Sequence, residues 1–193
     1  MIIFAKHKKG FMRVPKTGTW TISEYFEKEL VIKKESQNFV IYKKPEYIIE
    51  LKNKKTHTTH ATLDTIKEQY AKYPIPNYFF TIVRHPYTRT ISEYNYYCER
   101  IEYVDFDTFI DQELHFPSHI FYWSKGQHQY YKDCAAVYKF EDGIDTAFEK
   151  EGIPFILSKH FNKSLVEVSL NDDQKEKIYY KFKREFDDLN YDF

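Results

Sequence analysis

One segment, Tyr78-Phe79-Phe80-Thr81-Ile82-Val83, constrains the fold of this chain more than any other. All six residues are aromatic or β-branched, and they form one run without an alternating polar face. Such a run is typical of a strand that is buried on both faces of a parallel sheet. The run ends at Arg84, shortly before a turn at Pro86. The rest of the chain must therefore supply helices that cover both faces of a sheet.

Apolar spacing along the rest of the chain predicts alternating strands and helices. Further strands are predicted at residues 11–14, 39–42, 47–51 and 135–140. Helical spacing is found in five sets of residues: Ile22, Phe26 and Leu30; Leu63, Ile66 and Tyr70; Ile91, Tyr94 and Cys98; Phe106, Phe109 and Ile110; and Leu170, Ile178, Phe182, Phe186 and Leu189. Thr62 and Asp105 are predicted helix caps, and Thr21 with Glu24 is predicted to form a capping box. Alternation of this kind predicts an α/β fold of three α/β/α layers around a central parallel sheet.

Length and composition indicate one domain over residues 1–193, since there is no repeat or flexible linker and 42% of the residues are hydrophobic. The 29 basic and 29 acidic residues cancel, so no nucleic-acid or membrane partner is expected and any anion site must be local. Two distant cysteines indicate neither a disulfide framework nor a zinc site. The apolar run at residues 1–5 is too short for a signal peptide or a membrane span, so we expect a cytoplasmic protein.

The segment Pro15-Lys16-Thr17-Gly18-Thr19-Trp20-Thr21 follows a predicted strand and leads into a predicted helix. Unpaired N–H groups and the positive end of the helix dipole bind anions at such a position. Gly18 allows close approach of the backbone, and Lys16 adds a positive charge. The spacing differs from the Walker loop, which has a second glycine. An ordinary turn with an exposed lysine remains the alternative for this segment taken alone.

A second anion-suited turn follows the buried strand. Arg84 is expected at the carboxyl edge of the sheet, where open α/β sheets bind ligands, and a guanidinium can donate two parallel hydrogen bonds to a phosphate. Ser92, expected at the start of the next helix, could contact the same anion. Two such turns in one small domain indicate a ligand with two separate anionic groups.

Together the two segments resemble motifs of the sulfotransferase superfamily, most closely its branch with heparan sulfate 2-O-sulfotransferase and related bacterial carbohydrate sulfotransferases. The first motif of that branch reads like P-K-T-G-G-T-S, and the second like V-R-[DN]-P-x-x-R-x-x-S-x-Y. The chain has Val83-Arg84-His85-Pro86-Tyr87-Thr88-Arg89-Thr90-Ile91-Ser92-Glu93-Tyr94 at the second motif and departs from it at His85. Lys159-His160-Phe161-Asn162-Lys163-Ser164 is similar to a later nucleotide-covering loop of the family.

The resemblance implies a P-loop-like sulfotransferase that needs no metal and takes its sulfuryl group from 3′-phosphoadenosine 5′-phosphosulfate. The acceptor would be a hydroxyl, most often of a carbohydrate in this branch. Trp20 stands where the family usually has a threonine. The implied donor-binding residues are Lys16, Thr17, Gly18, Thr19, Trp20, Thr21, Arg84, Ser92, Lys163 and Ser164.

Transfer to a hydroxyl calls for a general base and for a cation at the leaving oxygen. Lys16 is the candidate cation. The resemblance places a catalytic histidine upstream of the buried strand, where the chain has His57 and His60. We expect His60 to act as the base, with His57 second and His85 as a further imidazole near the donor. His57 and His60 could also be a metal pair, although no third ligand is evident.

Two other functions remain open. A nucleotide-dependent kinase would share the strand-turn-helix phosphate site, but it would need Mg²⁺ and carboxylates to hold it. A non-catalytic member of the fold would keep the nucleotide site without needing Lys16 and a base. The sequence leaves the acceptor and the oligomeric state undetermined, because acceptor sites are built from variable loops.

Overall fold

The computed structural model describes residues 1–29, 32–35, 39–43, 48–51, 60–71, 74–111, 126–156 and 168–193. The strands described are β1 Ile2–Phe4, β2 Lys9–Met12, β3 Ile32–Glu35, β4 Phe39–Lys43, β5 Ile48–Leu51, β6 Tyr78–Val83 and β7 Ala136–Lys139. The helices described are α1 Thr19–Glu29, α2 Leu63–Gln69, α3 Pro86–Arg100, α4 Phe106–Asp111, α5 His128–Tyr131, α6 Ile144–Lys150 and α7 Asp172–Leu189. A single 3₁₀ turn, Phe140–Asp142, connects β7 to α6.

The described strands form one open sheet in the order β3-β4-β5-β1-β2-β6-β7. Strands β2, β6 and β7 are parallel, whereas β3, β4, β5, β1 and β2 pair antiparallel. The sheet is therefore mixed, and the predicted parallel sheet is confirmed only for its β2-β6-β7 part. One physical reason lies in the tight turn after β1, where His7 N–H donates to Phe4 O at 3.1 Å. A turn this short can join only antiparallel strands.

Helices pack against both faces of the sheet. In β1, Ile2 and Phe4 join one apolar cluster and Ile3 joins the other, as expected from the alternation of side chains along a strand. The first cluster includes residues of α1 and α6, and the second includes residues of α2. A third cluster joins α3, α4 and α7. The β6 strand lies between β2 and β7 and is buried over its last five residues, as its apolar run predicts.

Most predicted elements are confirmed with small shifts in their bounds. The strand predicted at 11–14 is β2, which begins at Lys9 and ends at Met12. The Thr62 cap is confirmed by Thr65 N–H donating to its Oγ1 at 3.4 Å. Asp105 caps α4, since Thr108 N–H donates to its Oδ1 at 2.8 Å. The predicted Leu30 lies outside the described residues.

The predicted capping box of Thr21 and Glu24 is wrong. A Thr21 cap would start the helix at Ile22, but α1 begins three residues earlier, at Thr19, and Ile22 N–H already donates to Gly18 O at 3.2 Å. Thr21 therefore lies inside the first turn. The physical reason is that the turn with Gly18 starts the helix before the Thr21 side chain could cap it. Within the described chain, none of the helices has the length and apolar character of a membrane span.

Candidate anion-binding site

The two turns singled out in the sequence meet at one edge of the sheet. Strands β2 and β6 are parallel neighbours with Met12 opposite Thr81, so the chain leaves both strands at the same edge. There, Arg84 Nη1 donates to the carbonyl oxygen of Lys16 at 3.3 Å. Ligands of open α/β sheets bind at this carboxyl edge. The fold thus brings the two cationic residues of the predicted site into direct contact.

The turn between β2 and α1 has an unusual backbone. Lys16 and Gly18 have φ angles of 66° and 72°, and the left-handed region is unfavourable for a residue with a Cβ, such as Lys16. Thr17 is buried and donates its hydroxyl hydrogen to Val14 O at 2.9 Å, which closes the turn. A Cβ on Gly18 would lie 2.4 Å from Ile144 Cδ1 in α6. Alanine at position 18 would combine the strain of a left-handed φ with a close contact to the Ile144 side chain, and glycine avoids both.

The Lys16 ammonium lies over the ring of Tyr96, with Nζ 4.4 Å from the ring centroid. No carboxylate of the described residues forms an ion pair with Lys16. Burial lowers the pKa of Lys16 to about 8; the Glu93 charge opposes this shift and the Arg84 charge adds to it. Lys16 is thus a cation at neutral pH that lacks a counter-ion in the described part of the protein.

The Arg84 guanidinium is held by three neighbours. Its Nε donates to Thr88 Oγ1 at 3.1 Å, its Nη1 donates to Lys16 O, and its Cζ lies 4.8 Å from the centroid of the Phe140 ring. Burial lowers the pKa of Arg84, although an arginine remains charged at neutral pH. Its Nη2 donates no hydrogen bond to the residues that the structure describes. Donors of a positioned guanidinium therefore remain available to an anion.

One face of α3 connects the two cations. Thr88, Ser92 and Tyr96 recur at four-residue spacing, which places them on one side of the helix. Thr88 contacts Arg84 and Tyr96 contacts Lys16, so Ser92 lies on the helix face between the two contacts. Ser92 was expected at the start of this helix. It lies in the second turn of α3, because the helix already begins at Pro86.

The remaining residues of the first motif differ in exposure. Thr19 and Thr21 are buried, and the carbonyl oxygen of Thr19 accepts a hydrogen bond from Arg13 Nη2 at 3.3 Å. Trp20, in contrast, is 56% exposed. The N–H groups of the first turn of α1 have no partners within the helix and carry the positive end of its dipole. An anion here would meet backbone N–H groups and Lys16, whereas the Thr17 hydroxyl hydrogen is already used within the turn.

His60 lies against the strand end that leads into this turn. Its Nδ1 is 3.0 Å from the carbonyl oxygen of Arg13, so Nδ1 carries the hydrogen and Nε2 is the basic nitrogen. Burial lowers the pKa of His60 to about 3, and the charges of Arg13 and Lys16 add to the shift. The imidazole is therefore neutral at pH 7, with its tautomer fixed by the backbone.

His85 has a structural position. It is the N-cap of α3, with Nδ1 accepting from Tyr87 N–H at 3.2 Å and Nε2 3.2 Å from the carbonyl oxygen of Asp192. The backbone N–H of His85 donates to Glu141 Oε1 at 2.8 Å. Both ring nitrogens are thus engaged, which leaves the ring poorly suited to accept a proton from a substrate. His57, Lys163 and Ser164 lie outside the described residues.

Sequence reasoning missed the buried polar groups behind Arg84. Gln127 is fully buried and bonds the backbone of Arg84, and Glu185 of α7 bonds Gln127. Arg89, whose position in the second motif was noted, is 1% exposed and lies 3.3 Å from Glu93, four residues along α3. The four-residue spacing of Arg89 and Glu93 within one helix could have suggested this pair. No sequence pattern pointed to Gln127 or Glu185, which are brought to Arg84 by tertiary structure alone.

The chain was compared with profiles of known protein families, with curated proteins and with solved structures. No match was found in any of the three comparisons.

Proposed function

We propose that this chain is a sulfotransferase that moves the sulfuryl group of 3′-phosphoadenosine 5′-phosphosulfate to a carbohydrate hydroxyl. One observation carries the proposal. Lys16 and Arg84 meet at the ends of two adjacent parallel strands, and neither is paired with a carboxylate of the described residues. Partly buried cations without counter-ions are costly unless an anion binds them.

The site suits two separate anionic groups. Lys16 and the amino end of α1 would bind the 5′-phosphosulfate, and Arg84 with Ser92 would bind the 3′-phosphate. This assignment follows the motif resemblance, and it is supported by the α3 face that joins Lys16 to Arg84. The helices on both faces of the sheet and the strand-turn-helix segment after β2 support a three-layer, P-loop-like α/β/α fold.

The proposed reaction forms one S–O bond and breaks another. The acceptor oxygen attacks sulfur, its proton passes to a base, and the electron pair of the broken bond stays on the 5′-phosphate oxygen. Lys16 stabilises the charge that develops on the moving group and on this leaving oxygen. The carbohydrate nature of the acceptor follows from the family branch that the motifs resemble.

His60 is the proposed base, with Nε2 receiving the proton. Its low pKa arises from burial and neighbouring positive charge, so an anionic donor bound beside Lys16 opposes part of the shift and raises the pKa toward neutrality. The hydrogen bond from Nδ1 to Arg13 O also favours the charged imidazolium. Donor binding would therefore prepare His60 for proton transfer.

Calorimetric titration with 3′-phosphoadenosine 5′-phosphate in the absence of Mg²⁺ tests the donor site. We expect micromolar binding, weakened by roughly 1–3 kcal/mol in Lys16→Ala and in Arg84→Ala, since each removes a charged hydrogen bond. Arg100→Ala, at an exposed position at the end of α3, is the matched control and should bind as the wild type does.

Transfer is tested with sulfur-labelled donor and a panel of glycans, again without Mg²⁺. Label in a glycan that disappears in His60→Ala would support the full proposal. Binding of the donor without transfer to any glycan, protein tyrosine or lipid acceptor would favour a non-catalytic nucleotide-binding protein. If the wild type binds ATP with Mg²⁺ but does not bind 3′-phosphoadenosine 5′-phosphate, the proposal fails in favour of a kinase.

A further inference from the structure

Arg84 has a backbone environment unlike that of an ordinary strand end. It is the one residue between the end of β6 and His85, the N-cap of α3. Its N–H donates to Gln127 Oε1 at 2.8 Å, and its carbonyl oxygen accepts from Gln127 Nε2 at 2.7 Å. A side-chain amide thus replaces the peptide group of a neighbouring strand and bonds both backbone groups of this residue.

Glu185 of α7 fixes the orientation of that amide. Its Oε2 accepts the second hydrogen of Gln127 Nε2 at 2.7 Å, and its Oε1 accepts from Gln127 N–H. Reversing the amide would bring its oxygen against both the carboxylate and the Arg84 carbonyl, so only one orientation satisfies every group. Gln127 and Glu185 are at most 2% exposed.

Position 126 shows how closely this arrangement is packed. Gly126 has a φ of 57°, and a Cβ there would lie 2.6 Å from Glu185 Oε1. The segment before α5 is therefore shaped so that Glu185 can reach the backbone of Gln127. Removing a carboxylate from water costs free energy. Both oxygens of the Glu185 carboxylate accept hydrogen bonds from Gln127, which offset part of that cost.

We propose that Gln127 and Glu185 are positioning residues that fix Arg84 for recognition of the 3′-phosphate of the donor. The inference rests on the proposed function, because that function supplies the phosphate. Gln127 holds the Arg84 backbone and so fixes the position of its Cα, from which the long side chain extends. The guanidinium at the end of this side chain then donates to Thr88 Oγ1 and to the Lys16 carbonyl oxygen. A guanidinium whose orientation is already fixed loses less conformational entropy when it binds an anion.

The test compares two nucleotides that differ only by the phosphate in question. Dissociation constants of adenosine 5′-phosphate and of 3′-phosphoadenosine 5′-phosphate are measured for wild type and Gln127→Met, and their ratio gives the preference for the 3′-phosphate. We expect Gln127→Met to lower this preference about tenfold, from the loss of a well-placed charged hydrogen bond, while the affinity for adenosine 5′-phosphate stays constant. Gln129→Met, two residues along in α5, is the matched control and should keep the wild-type preference.

Two further variants make the test decisive. The double variant Arg84→Ala/Gln127→Met should show the same preference as Arg84→Ala alone, because Gln127 acts through Arg84. Glu185→Gln keeps the side-chain volume and removes one acceptor of Gln127, so it should lower the preference in the same direction by a smaller factor. Glu185→Gln also provides an independent test if Gln127→Met does not fold.

The possible failures are distinguishable. A wild-type protein that binds neither nucleotide overturns the proposed function, and the positioning role with it. A wild type that prefers the 3′-phosphate, with Gln127→Met and Glu185→Gln retaining that preference, overturns the positioning role alone. Equal weakening of both nucleotides in these variants also overturns it, since that pattern indicates general structural damage.

Discussion

At the scale of single residues, Lys16 combines a left-handed backbone with a cation that has no counter-ion in the described residues. Its φ of 66° costs about 1–2 kcal/mol relative to an ordinary conformation. The carbonyl oxygen of Lys16 accepts from Arg84, and its ammonium lies over Tyr96. Strain of this kind persists where the surroundings over-determine the conformation, and such positions cluster at functional sites.

The lowered pKa of Lys16 predicts how donor affinity depends on pH. Below about pH 8 the ammonium is charged and attracts the anion, whereas above it the amine is neutral. We expect the affinity for 3′-phosphoadenosine 5′-phosphate to fall about tenfold between pH 7 and 9, as measured by calorimetry. Lys16→Arg stays charged over this range, so its affinity should not fall. A wild-type affinity that is constant over this range would contradict the assignment of Lys16 to the anion.

At the scale of elements, the turn after β2 is shaped by its contact with α6 as much as by its own sequence. Thr17 closes the turn through Val14 O, and Gly18 accepts the first hydrogen bond of α1. Gly18 also lies against Ile144 at the start of α6. The conformation that presents the N–H groups of α1 thus depends on a helix more than a hundred residues away.

This packing predicts a large stability loss for Gly18→Ala. The new Cβ would lie 2.4 Å from Ile144 Cδ1 and 3.0 Å from Phe140 Cε2, at a φ of 72°. We expect the free energy of unfolding to fall by about 2–4 kcal/mol, combining backbone strain with overpacking, in denaturant titrations.

Gly152→Ala is the matched control for this substitution. Gly152 has a similar φ of 68°, but apart from its chain neighbours no atom of the described residues lies within 4 Å of the position of its Cβ. Only the backbone term applies, so the expected loss is about 1 kcal/mol. Equal losses in the two variants would show that contact with α6 contributes nothing to the requirement for glycine.

At the scale of the whole molecule, a buried carboxylate joins the three parallel strands. Glu151 follows α6 and accepts hydrogen bonds from Lys9 at 2.8 Å, Tyr78 at 3.0 Å and Tyr138 at 2.6 Å. These partners belong to β2, β6 and β7. Lys9 and Tyr78 are the first residues of their strands, at the edge opposite the candidate site.

Glu151→Ala is expected to separate stability from ligand binding. It leaves two tyrosine hydroxyls without their acceptor and Lys9 with only the carbonyl oxygen of residue 151, so we expect the free energy of unfolding to fall by about 2–4 kcal/mol. Tyr78→Phe removes one of these bonds and should cost about 1 kcal/mol. The affinity of folded Glu151→Ala for 3′-phosphoadenosine 5′-phosphate should match the wild type. A large loss of affinity would contradict the placement of this cluster outside the site.

Local sequence patterns were enough to predict several elements. The apolar run of β6, the caps Thr62 and Asp105, and the long amphipathic α7 were predictable because each depends on neighbouring residues. The motif spacing likewise singled out Lys16 and Arg84. The resemblance placed His60 near them, and the structure places it against Arg13, one residue beyond β2.

How those elements combine depends on contacts between residues that are distant in sequence. The antiparallel half of the sheet depends on strand order, which local patterns do not encode, and the early start of α1 depends on the turn at Gly18. Gln127 and Glu185 lie 58 residues apart in sequence and carry no motif. They reach Arg84 because α5 and α7 pack behind the end of β6, and buried polar groups must find partners wherever the fold places them.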